Sequence, residues 1–375
     1  MRILMISIDK GLLGQGQLGD VVERHKKYGE FCERLDIIVL CKKHRYQINK
    51  ISEKVTVYPT NSITRFKFFR DAYKIGKKLF EQNGYQLVIG DWSSGLAAWK
   101  LKKKFKIKLL LTFHGDYWQN RAGLQSLWYN YFLLVINKFI MKKADGIRVV
   151  SEGLKNKLVK MGIAREKILA TPTPMNLERF ENYNNQELLN NLKEEVGGGK
   201  IVLMVGRKDA VKDFETLFGA LNLVYEKDNK ANLWLAGNYE NFSEIKDKIK
   251  LPERQVACFG QIKTEDLPAY YKTAEVVVSS SKSESFGKVL VEANVCGKPV
   301  VATATTGAKE IVEDGKNGFL VPIADAPKLA EKILELLNNP ELVEEMGERG
   351  KKMALEKYSD NTRKIIQFWQ DLINK

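Results

Sequence analysis

Residues 274–303, AEVVVSSSKSESFGKVLVEANVCGKPVVAT, contain the most informative structural pattern in the chain. Residues 275–279 are a short Val-rich run, which predicts a buried strand. A loop over residues 280–286 and a helix over residues 287–296 follow, and Gly297 ends the helix. The next apolar run, PVVAT, predicts a second strand. The stretch therefore predicts a unit of strand, loop, helix and strand.

Two carboxylates in this unit, Glu284 in the loop and Glu292 in the helix, are the candidate functional groups. Apolar residues flank Glu292, and a carboxylate in that position is costly unless a polar group binds it. The loop and Gly287 bring backbone N–H groups to a helix N-terminus, where anions bind. A nucleotide sugar offers phosphates and hydroxyl groups to such a site. The alternative is structural, with Glu284 solvated and Glu292 paired with Lys288 one turn earlier.

The composition predicts a globular protein of two domains. The chain has 375 residues, 44% of them hydrophobic and 29% charged, which is the range of soluble domains. The N-terminal apolar run is too short for a secretory signal, and no apolar run reaches the length of a membrane span. We therefore expect a cytoplasmic protein.

The four cysteines do not form a recognisable metal or disulfide pattern. They are far apart, form no CxxC pair and have no neighbouring His that would complete a metal set. We expect reduced thiols at Cys32, Cys41, Cys258 and Cys296, and no metal site.

The charge is distributed unevenly along the chain. Residues 1–180 contain 34 Lys and Arg against 15 Asp and Glu, whereas residues 181–375 contain 27 against 31. The strongly basic first half predicts an anionic partner, which is a membrane surface, a nucleic acid or an anionic substrate.

A Gly-rich loop follows the first predicted strand, residues 2–8. Gly14, Gly16 and Gly19 match G-x-G-x-x-G. In a dinucleotide site the first Gly follows the strand at once and an acidic residue ends the second strand. Here the loop is longer and the second strand ends in Cys-Lys-Lys. We therefore favour glycines that let the loop lie against a ligand shared between domains.

His114 follows the predicted strand at residues 109–113. The carboxyl ends of strands in an open α/β sheet are where such folds bind ligands, so His114 is a functional candidate. The alternative is a histidine that is hydrogen-bonded under a loop. His25 and His44 lie in a charged helix and a Lys-rich turn, and neither is a candidate.

The second domain restarts after a Thr-Pro-Thr-Pro segment and a polar stretch, so the first domain ends near residue 180. A strand at residues 201–205 leads into Arg207 and Lys212, just before a helix at residues 213–225. Both cations and the helix N–H groups can converge on one anion. Strand and helix alternate in both halves, which predicts an α/β protein of two doubly wound, Rossmann-like parallel-sheet domains facing each other across a cleft.

These motifs resemble those of the retaining, GT-B-fold glycosyltransferases of family 4. ESFGKVLVE at residues 284–292 matches that family's E-x7-E motif. VGR followed by Lys212, then LAGN, FGQI, GKPVVAT and GxxEIVxDGxNGFLV, occur in the family's order. The resemblance is strongest over residues 201–321, and it is collinear over the first domain. Asp213 is a departure, because the family usually has Gly after the lysine.

The resemblance implies a role for each matching residue. Glu284 would contact the hydroxyl groups of the donor sugar and Glu292 the ribose. Arg207 and Lys212 would neutralise the diphosphate, and His114 would lie near the reacting sugar carbon. Glu284, Arg207, Lys212 and His114 are thus the expected catalytic residues. The other expected donor-binding residues are Gly14, Gly16, Gly206, Gly260, Gln261, Ile262, Ser285, Phe286, Gly287, Lys288 and Val289.

The resemblance also implies the domain layout. It predicts an acceptor-side domain over residues 1–180 and a donor-binding domain over residues 181–360. The last helix, about residues 361–375, would cross back to the first domain.

The implied activity is transfer of a sugar, with retention, from a nucleotide-diphosphate sugar to a lipid-linked or polysaccharide acceptor at the cytosolic membrane face. A UDP-sugar is the favoured donor and GDP-mannose the next. No metal or other cofactor is expected. An anionic membrane surface is a further expected partner, which would make the protein peripheral on the inner face of the cytoplasmic membrane.

Two other functions fit the same residues. One is a same-fold epimerase that acts on the nucleotide sugar alone, and the other is a nonenzymatic protein that binds anions or nucleic acid. The lysines are scattered over several helices and no nucleic-acid module is recognisable, so no nucleic-acid partner is predicted.

Overall fold

A computed structural model describes residues 1–14, 20–42, 46–117, 127–196, 199–207, 209–237, 249–359 and 361–375. The chain divides into two compact units, one of Met1–Met175 with Asp360–Lys375 and the other of Asn176–Ser359. The sequence predicts a boundary near residue 180, and in the structure the division falls between Met175 and Asn176.

The first unit contains an eight-stranded sheet whose strands lie in the order β3-β4-β2-β1-β5-β6-β7-β8. All neighbouring strands are parallel except β3 and β4, which are antiparallel at the edge. The strands are β1 (Arg2–Ser7), β2 (Arg34–Val39), β3 (Asn49–Ser52), β4 (Val55–Pro59), β5 (Leu87–Asp91), β6 (Lys108–Phe113), β7 (Gly146–Val149) and β8 (Ile168–Ala170).

Helices connect these strands, as parallel pairing requires. They are α1 (Val21–Glu30), α2 (Phe68–Asn83), α3 (Gly95–Phe105), α4 (Leu127–Lys143) and α5 (Glu152–Lys160). Helix α2 begins at Phe68, directly after a single 3-10 turn at Arg65–Lys67. The basic run at residues 100–108 contains the end of α3, a helix that the sequence analysis did not predict.

The second unit contains a six-stranded parallel sheet in the order β11-β10-β9-β12-β13-β14. Its strands are β9 (Lys200–Val205), β10 (Ala231–Ala236), β11 (Val256–Cys258), β12 (Val276–Ser279), β13 (Val300–Thr303) and β14 (Gly318–Val321). Its helices are α6 (Glu178–Glu181), α7 (Gln186–Val196), α8 (Phe214–Lys227), α9 (Leu267–Thr273), α10 (Lys288–Val295), α11 (Ala308–Ile311), α12 (Ala326–Leu337) and α13 (Pro340–Tyr358).

The last helix, α14 (Asn361–Asn374), belongs to the first unit. Its buried residues Ile365, Ile366, Trp369 and Leu372 recur at helical spacing and join the hydrophobic core of that unit. The Trp369 ring packs edge-on against Tyr28 of α1, with 5.1 Å between the ring centroids. The C-terminus of the chain therefore completes the core on which its N-terminal strands are built.

Both cores form because parallel strands covered on their two faces must be almost entirely apolar. The strand at Ala231–Ala236 is buried at every position, and so is the strand at Val276–Ser279. Among the residues that the structure describes, no helix combines the length and the apolar character needed to cross a lipid bilayer.

Candidate functional site

The candidate site of the second unit lies where its strand order changes direction. β9 is the first strand of that sheet, with β10 and β11 on one side and β12 on the other. In open α/β sheets ligands bind at the carboxyl ends of strands at such a switch point. Lys212 follows β9 and Glu284 follows β12, so the fold places both residues at this edge.

Lys212 and Glu284 form an ion pair there, with 3.0 Å between Nζ and Oε2. Two hydrogen bonds fix the segments that carry them. The Ser280 hydroxyl donates to the Lys212 carbonyl at 2.7 Å, and the Lys282 amide donates to the Val211 carbonyl at 2.8 Å. The loop after β12 is therefore tied to the turn after β9, and the two charged groups are held in one place.

Asp213, where the resembling family usually has Gly, adopts a left-handed backbone with φ 47° and ψ 62°. Side chains other than Gly, Asn and Asp rarely adopt that conformation. The buried carboxylate accepts a bond from the Thr216 hydroxyl at 2.7 Å, and the Lys282 ammonium lies 3.2 Å away. Asp213 therefore adopts the left-handed backbone conformation that usually favours Gly, and its carboxylate contacts Thr216 and Lys282.

Glu292 is only 3% exposed, in the middle of α10. The Tyr271 hydroxyl donates to its Oε2 at 2.8 Å, and the Lys288 ammonium lies 3.2 Å from its Oε1. The ion pair of the structural alternative is therefore present, and Tyr271 supplies a second polar partner. A buried carboxylate with two such partners is fixed in position, as an acceptor for ligand hydroxyl groups needs to be.

The turn that begins α10 depends on two glycines. Gly287 precedes the helix with φ 95°, a left-handed conformation that Gly adopts without cost. The Gly307 amide donates to the Glu284 carbonyl at 2.8 Å. A Cβ on Gly307 would lie 2.4 Å from the Phe286 carbonyl oxygen, closer than atoms can pack. The Glu284 loop therefore lies directly on the Gly307 backbone.

The remaining predicted donor-binding residues of this unit lie at the same carboxyl edge. Gly206 and the exposed Arg207 directly follow β9, whereas Gly260, Gln261 and Ile262 follow β11, two strands away. Ser285 and Val289 are half-buried beside Glu284, Phe286, Gly287 and Lys288. The ring of Phe286 packs edge-on against Tyr358, with 5.5 Å between the centroids.

His114 lies in the first unit, directly after β6, and lines a cavity of about 220 Å³ at the carboxyl edge of that sheet. Its Nδ1 lies 3.1 Å from the Thr173 hydroxyl. His114 is exposed at the surface of the described structure. The protein atoms packed around the imidazole nevertheless lower its pKa, and the charges of Arg148 and Arg24 act in the same direction. His114 is therefore neutral near pH 7 and can donate or accept a hydrogen bond.

Of the two loop glycines predicted to approach the ligands, only Gly14 is described. It ends a short 3-10 helix with φ 76°, a left-handed conformation. Gly16 lies outside the described residues, as does Gly19 of the same motif. The role of this loop stays a prediction.

The sequence analysis missed four residues that shape these sites: Tyr271, Ser280, Gly307 and Arg148. Ser280 belongs to a run of three serines at the end of a buried strand, an unusual place for hydroxyl groups, and that run was a usable signal. Arg148 interrupts the apolar strand β7 and was equally visible. Tyr271 and Gly307 carried no local signal, because each acts on a residue that is distant in the sequence. Tyr271 contacts Glu292, 21 residues later, and Gly307 contacts Glu284, more than 21 residues earlier.

No three His, Cys, Asp or Glu side chains come together as a metal-binding group in the described part of the chain. The expectation that no metal is needed stays a prediction.

Two family profiles match the chain. Residues 185–353 match "Glycosyl transferases group 1", and residues 33–179 match "Glycosyltransferase Family 4". A glycosyltransferase of Methanocaldococcus jannaschii is 30% identical over 331 residues, which cover 85% of this chain and 86% of that protein. The capsular polysaccharide biosynthesis glycosyltransferase CapM of Staphylococcus aureus is 28% identical over 65% of this chain and 64% of its own length.

Solved structures with the same fold include sucrose-phosphate synthase from Thermosynechococcus elongatus, with a TM-score of 0.84 at 24% identity and full coverage of both chains. The Anabaena protein HepE in complex with UDP-glucose superimposes with a TM-score of 0.79 at 18% identity, again over all of both chains. At these identities the two structures show a shared fold only. The family profiles and the Methanocaldococcus relative show that the chain belongs to the group 1 glycosyltransferases, and the fold that it shares with the solved structures is the GT-B fold.

Proposed function

We propose that the protein transfers a sugar, with retention of configuration, from a nucleotide-diphosphate sugar to a saccharide or lipid-linked acceptor in polysaccharide biosynthesis. The observation that carries the proposal is the Lys212–Glu284 pair at the switch point of the second unit, 3.0 Å between charged atoms. An ammonium next to a carboxylate suits a ligand that has a diphosphate joined to a sugar, because one group binds the charge and the other the hydroxyl groups.

The donor is proposed to bind along the carboxyl edge of the second sheet. Lys212 and the exposed Arg207 would bind the diphosphate, and Glu284 the sugar hydroxyl groups. Glu292, held by Tyr271 and Lys288, would accept hydrogen bonds from the ribose hydroxyl groups. A UDP-sugar is favoured and GDP-mannose is next. The HepE structure, which has this fold, contains UDP-glucose, and this supports the uridine assignment.

The reaction depends on stabilisation of the leaving diphosphate, and it does not need a nucleophile from the protein. The bond between the anomeric carbon and the diphosphate oxygen breaks, and the acceptor oxygen bonds to the same face of that carbon. The departing phosphate oxygen takes the proton of the acceptor hydroxyl. Charge grows on the diphosphate as this happens, so preorganised cations such as Lys212 and Arg207 lower the barrier.

A membrane-bound acceptor is supported by one face of α4. Tyr131, Val135 and Phe139 recur every four residues and are 65%, 52% and 51% exposed. The exposed Lys143 lies over the Phe139 ring, 5.9 Å from its centroid, and Lys138 is also exposed beside it. Apolar side chains rimmed by lysines fit an anionic lipid surface, where each cation contributes about 1 kcal/mol. We propose peripheral binding to such a surface.

Product analysis tests the transfer. The protein is incubated with UDP-glucose or GDP-mannose and a lipid-linked saccharide extract, and NMR follows nucleotide release and the anomeric configuration of the product. We expect nucleotide release only with acceptor, and an α-linked product from an α-linked donor. A β-linked product would contradict retention, and conversion of the donor alone to an isomeric nucleotide sugar would identify an epimerase.

Vesicle flotation tests the membrane part. We expect recovery with anionic vesicles and little with neutral ones, and a several-fold loss in the Tyr131→Ser, Val135→Ser double variant. Ile323→Ser is the matched control, because Ile323 is an exposed apolar residue of the second unit, 44% exposed. Equal recovery from both vesicle types would contradict membrane binding.

A further inference from the structure

Several basic side chains line the cavity at the carboxyl edge of the first sheet, next to His114. Its volume is about 220 Å³, and among the residues that line it are Arg24, His25, His114, Arg148 and Thr173. These residues come from α1, from β7 and from the segments that follow β6 and β8. The fold therefore gathers basic groups from distant parts of the sequence into one hollow.

Arg148 is the most unusual of these groups. It lies in β7, inside the sheet, and is 5% exposed. Its Nε donates to the Thr171 carbonyl at 3.2 Å, and its Nη2 donates to the Thr173 hydroxyl at 3.4 Å. Within the described ranges of the chain, no carboxylate forms an ion pair with Arg148. A buried guanidinium bound by neutral oxygens alone is costly, and burial lowers its pKa accordingly.

Arg24 and His114 complete the polar wall. Arg24 is half-buried in α1 and lines the same cavity. His114 shares the Thr173 hydroxyl with Arg148, at 3.1 Å from its Nδ1. The positive charges of Arg148 and Arg24 both lower the pKa of the His114 imidazole, in addition to the effect of its burial. Three nitrogen-bearing side chains thus surround one hydroxyl-lined space.

Two carboxylates also line the cavity, and backbone amides bind both. Asp9 accepts from the Gly11 amide at 3.0 Å, and Asp91 accepts from the Ser93 and Ser94 amides at 2.9 Å each. Neither forms an ion pair with the arginines of this cavity in the described part of the structure. The arginine charges are therefore left for a ligand.

An aromatic pair forms another part of the wall. The Tyr117 ring stacks on Trp92 with 4.7 Å between the centroids and 13° between the planes, and both residues line the cavity. The flat apolar face of a tyrosine packs well against the C–H face of a sugar ring. The cavity thus offers an apolar surface and a cationic surface within one volume.

We propose that this cavity binds an oxyanion, a phosphate or carboxylate group carried by the acceptor, and that Arg148 and Arg24 are the residues that recognise it. The inference rests on the proposed transferase function, and it specifies the acceptor as an anionic saccharide or saccharide phosphate. Arginine suits this role because its planar fork matches the paired oxygens of both groups.

Histidine NMR tests the inference directly, because the chain has three histidines and two of them line the cavity. The protein is labelled with ¹³C-histidine and titrated with glucose, glucose 6-phosphate and glucuronate at constant ionic strength. We expect the two charged sugars to shift the His114 signal with saturation and glucose to leave it unchanged at the same concentrations. The charged sugar that saturates at the lower concentration tells phosphate from carboxylate.

Substitutions of the two arginines locate the binding groups. Arg24→Gln should weaken binding of the charged sugar by about tenfold. Lys27→Gln removes an exposed charge from the same helix, and it should bind the charged sugar as tightly as the unchanged protein does. Arg148→Met should abolish the shift and Arg148→Lys should retain part of it. If Arg148→Met does not fold, the Arg24 comparison decides.

The inference is overturned if glucose shifts His114 as strongly as glucose 6-phosphate does, or if Arg24→Gln binds as tightly as Lys27→Gln. It is also overturned if UDP displaces glucose 6-phosphate, because the oxyanion would then be that of the donor. Thermal stabilisation by UDP, measured on the same samples, keeps the two proposals apart. If UDP stabilises the protein and the charged sugars have no effect, the transferase proposal stands and the anionic acceptor does not.

Discussion

The Lys212 ammonium lies 3.0 Å from Glu284 Oε2, and the two residues follow neighbouring strands of one parallel sheet. Removing the charge of Glu284 while keeping its shape tests its role. We expect Glu284→Gln to lower the rate of transfer by about 100-fold or more, as loss of one group that stabilises a transition state does. The free energy of unfolding should change by less than about 1 kcal/mol, because both side chains remain partly in water.

Glu313→Gln is the matched control, since it breaks a comparable ion pair with Lys316, 2.8 Å long, on the surface of the same unit. Initial rates of nucleotide release and urea unfolding curves are compared for the two variants. Near-normal transfer by Glu284→Gln would remove Glu284 from the site, and an equal loss in both variants would show a general effect of the substitution.

Tyr271 holds Glu292, and its hydroxyl can be removed without changing the packing of the ring. Tyr271→Phe loses the 2.8 Å bond to Glu292 Oε2. One such bond contributes about 1 kcal/mol, so we expect KM for the donor to rise about fivefold with kcat nearly unchanged. Tyr270→Phe, one residue earlier, is the control and should keep the original KM. A fall in kcat at unchanged KM would place Glu292 in the chemical step instead.

Asp213 keeps a left-handed backbone, with φ 47°, that an alanine adopts only with strain. Asp213→Ala and Asp213→Gly both lose the bond from Thr216 and the contact with Lys282. They differ in backbone freedom only, so Asp213→Gly should be more stable by about 1 kcal/mol. Urea unfolding measures the difference. Equal stability of the two variants would mean that this backbone does not keep the left-handed conformation.

Gly307 has no room for a side chain, because a Cβ would lie 2.4 Å from the Phe286 carbonyl oxygen. Gly307→Ala must push the Glu284 loop away, and we expect a loss of about 1–3 kcal/mol in unfolding free energy together with weaker donor binding. Thr306→Ala changes the exposed neighbouring residue and should have little effect on either quantity. A fully stable Gly307→Ala variant that binds the donor normally would contradict the packing described above.

His25 predicts a pH dependence of stability. It is 5% exposed, and its burial lowers the pKa of the imidazole to about 3. The unfolded chain takes up a proton near pH 6.5 and the folded protein does not, so the free energy of unfolding falls as the pH decreases from 6.5. At pH 5 the loss from this residue is about 2 kcal/mol relative to pH 8.

In the unchanged protein the His25 ring packs edge-on against Tyr28, with 5.5 Å between the centroids. The His25→Phe variant keeps an aromatic ring in that position. Its unfolding free energy should change less between pH 8 and pH 5 than that of the unchanged protein. An identical pH dependence in the two proteins would show that folding does not lower the pKa of His25.

The sequence predicted the parallel sheets well because buried strands leave a strong apolar pattern. The strands at Lys200–Val205 and Val276–Ser279 are examples, because the predicted bounds, residues 201–205 and 275–279, agree with the structure within one residue. Helix α3 was missed because its lysines mask a short apolar face, formed by Ala97, Ala98 and Leu101. The predicted helix ends differ from the observed ones by one or two residues, because the tertiary contacts that determine where a helix ends are not visible in a local pattern.

The residues at the candidate sites divide in the same way. Glu284 and Glu292 could be predicted as candidates because their spacing within one short segment is itself a pattern, and their roles stay predictions. Tyr271 and Gly307 act across the fold, and only the sheet order brings them to those carboxylates. Arg148 had a local signal, a charge in an apolar strand, but its meaning depends on the cavity that the neighbouring strands form around it.

Calorimetric titration tests whether the diphosphate of the donor binds at Lys212 beside Glu284. UDP, GDP and ADP are titrated into the unchanged protein, and the one that binds most tightly is titrated into Lys212→Met and into the surface control Lys316→Met. We predict that Lys212→Met binds it at least about tenfold more weakly and that Lys316→Met binds it normally. Normal binding by Lys212→Met, or no binding of any of the three by the unchanged protein, would contradict the claim.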